Sequence, residues 1–194
     1  MSETSASLLD RLRASPDEDA WQQVVEIYTP LIRGWLRRHA KLQTGDADDL
    51  VQEVLAVVVR RVKEFRRERT GSFRAWLRQI TVNCLRDLWK GRRTKPVATG
   101  GSEFLQMLDQ LEDPASGLSK LWDQEHDQHV ARRLLELIRP SFEPKTWRAF
   151  QRVALDGAPP DAVAAELGLS VNAVFIAKSR VLSRLRQEGE GLLD

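Results

Sequence analysis

The sequence predicts an all-α protein made of two helical domains, and three observations lead to this prediction. Apolar residues recur at helical spacing along most of the chain. Only 11 of the 194 residues are glycine and 8 are proline, so few positions break helices. Apolar residues make up 42% of the chain and charged residues 30%, which is typical of a folded protein with a buried core. A chain of this length forms one domain or two small ones, and a large α/β enzyme is not expected.

The first half of the chain predicts four helices joined by short turns. The segment 15–19 places a cap residue, a proline and three acids where a helix begins. Pro30 is expected to end that first helix, and turns at 44–46 and 70–72 separate the later ones. The expected helical ranges are 15–28, 31–36, 47–65 and 73–91. Four helices with short connections predict a compact bundle.

The middle of the chain, residues 96–129, predicts a flexible acidic linker between domains spanning 1–95 and 130–194. Pro96, two adjacent glycines and Pro114 interrupt it, and only short helical stretches are expected within it. His126 and His129 are interpreted as solvated linker residues, because two histidines do not make a metal site.

The C-terminal domain predicts helices near 130–138, 147–155, 160–167 and 171–185. Gly168 suits a positive φ in the turn between the last two helices, and Ser170 suits the cap of the final helix. Ala164 and Val174 suit the close contact between these helices. This layout indicates a helix-turn-helix, whose second helix enters the DNA major groove. An ordinary helical hairpin with a solvated basic face is the alternative.

The formal net charge of +2 conceals two strongly charged segments. Residues 60–95 hold 13 Lys/Arg against 3 Asp/Glu, a net of +10, whereas residues 96–129 hold 1 against 7, a net of −6. Phe65, Phe73, Trp76 and Trp89 are interleaved with the basic residues. Basic residues interleaved with aromatic residues are typical of proteins that bind single-stranded nucleic acid. Phe73 and Trp76 are also expected to contribute to the core.

Several classes of function are not indicated by the sequence. Cys84 is the single cysteine, so disulfides and cysteine-rich zinc sites are excluded. We find no nucleophile-base pair, no paired carboxylates and no phosphate-binding loop, so neither an enzyme nor a cofactor, metal or small-molecule substrate is expected. No signal peptide or membrane span is predicted, which indicates a cytoplasmic protein.

A short acidic motif lies near the start of the third predicted helix. Asp49, Gln52 and Glu53 fall at i, i+3 and i+4, so they share one edge of the helix. Such acids either complement the helix dipole or contact a partner.

These motifs, in this order, resemble a bacterial sigma factor of the extracytoplasmic-function (ECF) subfamily of the sigma-70 family. The stretch 48–53 resembles region 2.2, which binds core RNA polymerase. The stretch 73–93 resembles regions 2.3 and 2.4, which melt and read the −10 element. The helices at 160–186 fall where region 4 reads the −35 element. The resemblance therefore implies a four-helix region 2 bundle and a helix-turn-helix region 4, joined by the acidic linker.

The resemblance implies three groups of site residues. The residues expected to contact polymerase are Asp48, Asp49, Gln52 and Glu53. The residues expected to contact the −10 element are Phe65, Arg66, Arg67, Arg74, Arg78, Asn83, Arg86, Lys90, Arg92 and Arg93. Contacts to the −35 element fall to Ser170, Asn172, Ala173, Lys178, Ser179, Arg180 and Arg184. Asn83 matches the position that lines a pocket for a flipped non-template base, and the loop 65–72 forms its other wall.

The implied partners are core RNA polymerase, through its clamp and flap, promoter DNA, and an anti-sigma factor if one exists. One departure concerns the stretch 175–177, where Phe-Ile-Ala stands in place of the basic residues usual in family recognition helices. This face either reads DNA through apolar contacts or packs on protein. Two other functions stay open: a regulator that binds duplex DNA, with the N-terminal bundle for dimerisation or sensing, and a helical adaptor protein.

Overall fold

The computed structural model describes residues 6–14, 17–67, 71–93 and 101–193, and every regular element in these ranges is helical, which confirms the all-α prediction. The helices are α1 Leu8–Ala14, α2 Glu18–His39, α3 Thr44–Arg61, α4 Ser72–Arg93, α5 Gly101–Glu112, α6 Gly117–Ile138, α7 Pro144–Phe150, α8 Pro160–Leu167 and α9 Val171–Glu188. A 3-10 turn, Arg139–Ser141, follows α6, and a π-helical turn, Gln151–Leu155, follows α7.

Helix α2 continues through Pro30, so the predicted break at this residue is wrong. Proline has no N–H, and within a helix it leaves the carbonyl four residues earlier without its usual donor. That carbonyl belongs to Glu26, and it accepts a hydrogen bond from Arg133 of α6 at 3.3 Å. The ring of His129 donates to the next carbonyl, that of Ile27, at 2.7 Å. A neighbouring helix thus replaces the hydrogen bonding that Pro30 disrupts.

The largest core lies between α2, α3 and α4. Trp35, Leu50, Leu77 and Leu85 are each no more than 1% exposed, as expected of the inward positions of amphipathic helices. Asp17 caps α2 by accepting a hydrogen bond from the amide of Ala20. These helices form the scaffold on which the N-terminal candidate residues are placed.

The segment predicted as a flexible linker is helical where it is described, and it packs on the N-terminal core. Helix α6 runs without a break through the predicted domain boundary at 129/130. Its inward side chains recur every four residues: Leu118, Trp122, His126, Val130 and Leu134. Trp122, Val130 and Leu134 belong to the same core cluster as the first four helices. A continuous stripe of this kind stabilises a long helix by burial rather than leaving it irregular.

Helices α7, α8 and α9 pack around two small apolar clusters, which include Phe150, Val163, Val174 and Val181. Gly168 has φ +60° between α8 and α9, and the Ser170 hydroxyl accepts a hydrogen bond from the amide of Ala173 at 3.1 Å. The predicted turn and cap are therefore confirmed. The axes of α8 and α9 differ by 102°.

Among the described residues, no single helix is long and apolar enough to cross a membrane. The α8 and α9 pair passes that test only when its two bent helices are taken together.

Candidate polymerase and nucleic-acid interfaces

The acidic edge of α3 is exposed to solvent. Asp49, Gln52 and Glu53 are all exposed, while the inward residues Leu50 and Val54 are buried. Asp48, four residues before Gln52, is half-buried and paired with Arg33 of α2. The structure therefore presents three of the four predicted polymerase contacts on one surface and places the fourth between two helices.

Two arginines of the predicted −10 surface instead face α6. Arg78 is 6% exposed, and its guanidinium lies 2.9 Å from a carboxylate oxygen of Asp123. Arg74 lies 2.9 Å from Asp127 and 3.6 Å from Asp123. A buried guanidinium requires such partners, because an unpaired charge there is strongly unfavourable. In this structure Arg74 and Arg78 hold α6 against α4 rather than presenting cations to solvent.

Arg86 is the third arginine of α4 with an acidic partner from the predicted linker. Both of its terminal nitrogens bond to the carboxylate of Glu112 on α5, one of them at 3.0 Å. The hydrogen bond from Arg86 lowers the pKa of Glu112. Both side chains stay partly exposed, at 33% and 40%. The pair is therefore accessible to solvent and to competing anions.

The negative segment thus neutralises part of the positive one. Of the seven acids between residues 96 and 129, four pair with arginines within the described part of the chain, and three of these arginines lie on α4. The acids are Glu112, Asp123, Glu125 and Asp127. Three of these acids pair with arginines of the basic segment, and Glu125 pairs with Arg38 of α2.

The outward face of α4 carries two further −10 candidates. Asn83 and Lys90 are exposed, and Gln79 donates a hydrogen bond to the Asn83 carbonyl oxygen at 3.2 Å. Lys90 lies 3.7 Å from Asp87 of the same helix. Arg92 and Arg93 belong to the last turn of α4, and their side chains lie outside the described part of the structure.

An open pocket of about 410 Å³ lies between the end of α3 and the start of α4. Its lining includes Arg61, Glu64, Phe65, Arg66, Ser72, Ala75 and Trp76. Phe65, predicted as a DNA contact, is 6% exposed and packs edge-on against Phe73 at 5.6 Å, so it forms mainly the floor. Trp76 is half-buried, and Arg66 is exposed at the rim.

Ala75 lines the pocket, and the face of α4 that carries Ala75 also carries residues closer to Asn83. Ala75, Gln79 and Asn83 are spaced by four residues, so they lie on one face of the helix. Eight residues of α-helix span about 12 Å.

Residues 68–70 of the predicted pocket loop lie outside the described residues. Arg67, which directly precedes these residues, is exposed, and its guanidinium lies 3.5 Å from the carboxylate of Glu190.

His126 is buried and His129 is half-buried and bonded to α2, which corrects the expectation that both are solvated. The His126 ring is fully buried; it lies 3.2 Å from the Tyr28 hydroxyl and 2.9 Å from Asp127. Burial, with the charge of Asp127 as a smaller cause, raises the pKa of Tyr28 well above 10.0. These contacts join α2 to α6. The histidines therefore stabilise the packing of α6.

The candidate −35 residues lie along α9. Asn172, Ser179 and Arg180 are exposed, and Ala173 and Lys178 are half-buried. Ser170 caps the helix, and Arg184 is held by Glu188 at 2.7 Å. Asn172 and Ser179 lie in the first half of the helix and Arg180 directly follows it, and their contact with the −35 element stays a prediction.

Comparison with known proteins connects these surfaces to a family. A model of sigma-70 region 2 matches residues 24–94. The RNA polymerase sigma factor CnrH of Cupriavidus metallidurans is 30% identical over 199 aligned residues, which cover 99% of this chain and 96% of CnrH. An RNA polymerase sigma-E factor of Streptomyces coelicolor is 29% identical over 143 residues, 74% of this chain and 71% of that one.

The chain belongs to the sigma-70 family of RNA polymerase sigma factors. Its relatives confirm the predicted ECF subfamily and the function of a transcription initiation factor. Binding to core RNA polymerase and to promoter DNA follows from membership of this family. A stand-alone regulator of duplex DNA is not favoured.

The sequence reasoning missed Gln79 of this sigma factor, and it named Trp76 among the interleaved aromatic residues but not among the site residues. Gln79 lies between the pocket and Asn83, and Trp76 lines the pocket although it was expected in the core. The four-residue spacing of 75, 79 and 83 was a usable signal for Gln79. For Trp76, the contact between the end of α3 and the start of α4 decides its exposure, and that contact is not visible in a local pattern.

Proposed function

We propose that this sigma factor uses three separate surfaces in promoter opening. The exposed α3 edge of Asp49, Gln52 and Glu53 contacts core polymerase at its clamp. The pocket and the outward face of α4 hold the unpaired non-template strand of the −10 element. Helices α8 and α9 bind the −35 duplex. The observation that carries the proposal is the pocket between α3 and α4 together with the polar face that leads from it to Asn83.

The −10 role rests on the shape of this pocket and the chemistry of the polar face beside it. An aromatic side chain, Trp76, and a cation, Arg66, border a pocket of about 410 Å³. Asn83 lies about 12 Å along the helix from Ala75, a distance that a few nucleotides of one strand span. Extrusion of a base costs a few kcal/mol, which stacking and amide hydrogen bonds offset. Opening of this kind uses binding energy alone, so the chain itself need not be an enzyme.

The ion pairs indicate which of the predicted −10 residues can contact DNA directly and which of them position other residues. Lys90 and Asn83 are available on the surface as they stand, and Arg66 lies at the pocket rim. Arg86 reaches a phosphate only when Glu112 is displaced from it, since both of its terminal nitrogens are engaged. Arg74 and Arg78 act as positioning residues, because they fix α4 against α6. Phe65 acts in the same way as the floor of the pocket.

The polymerase role rests on an exposed acidic edge that no described element covers. Asp48 supports this edge from behind through Arg33, so its role is indirect. The C-terminal helices are assigned to the flap of polymerase as well as to DNA. We assign the action of the protein to the cytoplasm, where the polymerase works, and an anti-sigma factor, if present, has the same exposed edges available.

The proposal is tested with purified core polymerase and the full chain on a library of randomised promoter duplexes. Transcripts are sequenced together with their templates. We expect transcription that depends on the chain and templates that share two elements, an upstream duplex element and a downstream element that becomes reactive to single-strand probes. Transcripts without any shared element, or no shift of core polymerase by the chain, would exclude the proposal.

A further inference from the structure

The first half of α9 presents a cluster of apolar side chains to solvent. Seven large apolar residues are exposed among the described residues, and three of them fall within six positions of this helix. Val171 is 42% exposed, Phe175 51% and Ile176 43%. Single exposed apolar residues need no explanation, but a cluster on one face indicates a binding surface.

Cations border this apolar surface on both sides. At about 100° per residue, Lys178 and Arg180 lie about 200° apart around the helix, with the apolar residues between them. From one edge to the other, the order is Lys178, Val171, Phe175, Ser179, Asn172, Ile176 and Arg180. Two cationic edges with an uncharged centre complement a groove whose two walls carry phosphates.

The DNA major groove has this arrangement. It is about 12 Å wide and admits one α-helix between two phosphate backbones. Thymine is the one base that places a methyl group on the floor of that groove. An apolar protein partner would not need a cation at each edge of the surface. The charges therefore favour DNA over a protein as the occupant.

We propose that Phe175 and Ile176 read thymine methyl groups in the duplex bound by α9. This inference rests on the proposed function and specifies the chemistry of its upstream element. Lys178 and Arg180 contact the two backbones, while Asn172 and Ser179 supply hydrogen bonds between the apolar contacts. Each buried methyl contributes about a fourfold gain in affinity.

The test uses holoenzyme and a promoter duplex recovered from the randomised library. The thymines of its upstream element are replaced one at a time by deoxyuridine, which lacks only the methyl group. We expect about a fourfold loss of affinity at one or two of these positions. The loss should disappear in Phe175→Ala or Ile176→Ala and persist in Phe175→Leu. Val25→Ala, at an exposed apolar residue of α2, is the matched control and should keep the wild-type response.

The outcomes separate this inference from the proposed function. Equal affinity for thymine and deoxyuridine templates at every position would overturn the methyl contact, while transcription from the recovered promoter would still support a sigma factor with this −35 surface. Loss of core polymerase binding in Phe175→Ala would also overturn it, because the face would then contact protein. Failure to recover any promoter would overturn both.

Discussion

Arg133 of α6 donates a hydrogen bond to the backbone carbonyl of Glu26 in α2, the carbonyl that Pro30 leaves without a helical donor. The bond connects a helix of the expected linker to a helix of the N-terminal bundle. It explains how α2 remains a single helix of 22 residues despite an internal proline. Buried residues of α2 and α6 also belong to one apolar cluster, so the two helices are packed together.

The first prediction concerns this bond. Arg133→Met should lower the free energy of unfolding by about 0.5–1.5 kcal/mol, because the Glu26 carbonyl loses its donor. In a Pro30→Ala background the loss should be smaller, since the new backbone amide at position 30 then donates to the same carbonyl. Urea denaturation of the four proteins gives the coupling energy. Glu136→Gln removes the ion pair of Arg133 and is the control. An equal loss in both backgrounds would contradict this explanation.

The second prediction concerns the pH dependence of stability through His129. Burial lowers the pKa of His129 below its ordinary value of 6.5, although its bond to the Ile27 carbonyl opposes this shift. The unfolded chain therefore takes up the proton more readily, so this contribution to stability is present above about pH 6.5 and is lost as the pH falls. Denaturation curves between pH 7.5 and pH 5 should show a smaller decline for His129→Gln than for wild type. Identical declines would exclude His129 as the cause.

The third prediction concerns the buried ion pair between α4 and α6. Asp123→Asn leaves the guanidinium of Arg78 without its anionic partner at 7% side-chain exposure. We expect a loss of about 1–3 kcal/mol in the free energy of unfolding. Glu136→Gln breaks an exposed pair on the same helix and should cost no more than about 0.5 kcal/mol. Similar losses for both variants would mean that the Arg78 pair is not buried in solution.

The fourth prediction concerns the acidic edge of α3. Reversing Asp49 and Glu53 to lysine should weaken binding to core polymerase about tenfold or more, because like charges then face each other at the contact. The melting temperature of the isolated chain should change little, since both side chains are exposed. Glu18→Lys with Glu103→Lys makes the same charge change on other exposed positions. Unchanged affinity in the α3 variant, or an equal loss in the control, would exclude this edge.

Local signals in the sequence predicted part of this structure correctly. Gly168 and Ser170 define the turn before α9 because a positive φ and a hydroxyl cap are properties of single residues. The exposure of Asp49 and Glu53 followed from helical spacing in the same way. These features need no knowledge of distant parts of the chain.

Contacts between distant segments account for what the sequence did not predict. The effect of Pro30 depends on Arg133, about a hundred residues later, and the burial of Arg78 depends on Asp123. His126 interrupts the apolar pattern of α6 with a polar ring, whose burial is stabilised by Tyr28. The sequence showed the negative charge of the 96–129 segment, but it did not show that these acids pair with arginines of α4.

The most direct test of the central claim, that the α4 face captures an unpaired strand, compares two templates for Asn83→Ala. Asn83 is exposed, and only its carbonyl oxygen is used by Gln79, so its amide can donate to a base. Open-complex formation by holoenzyme is measured on duplex and on pre-melted promoters. We predict a three- to tenfold loss, roughly one hydrogen bond, on the duplex and a much smaller loss on the pre-melted template. Lys90→Ala, a phosphate contact, should weaken both templates alike. An equal loss on both templates for Asn83→Ala would contradict strand capture at this position.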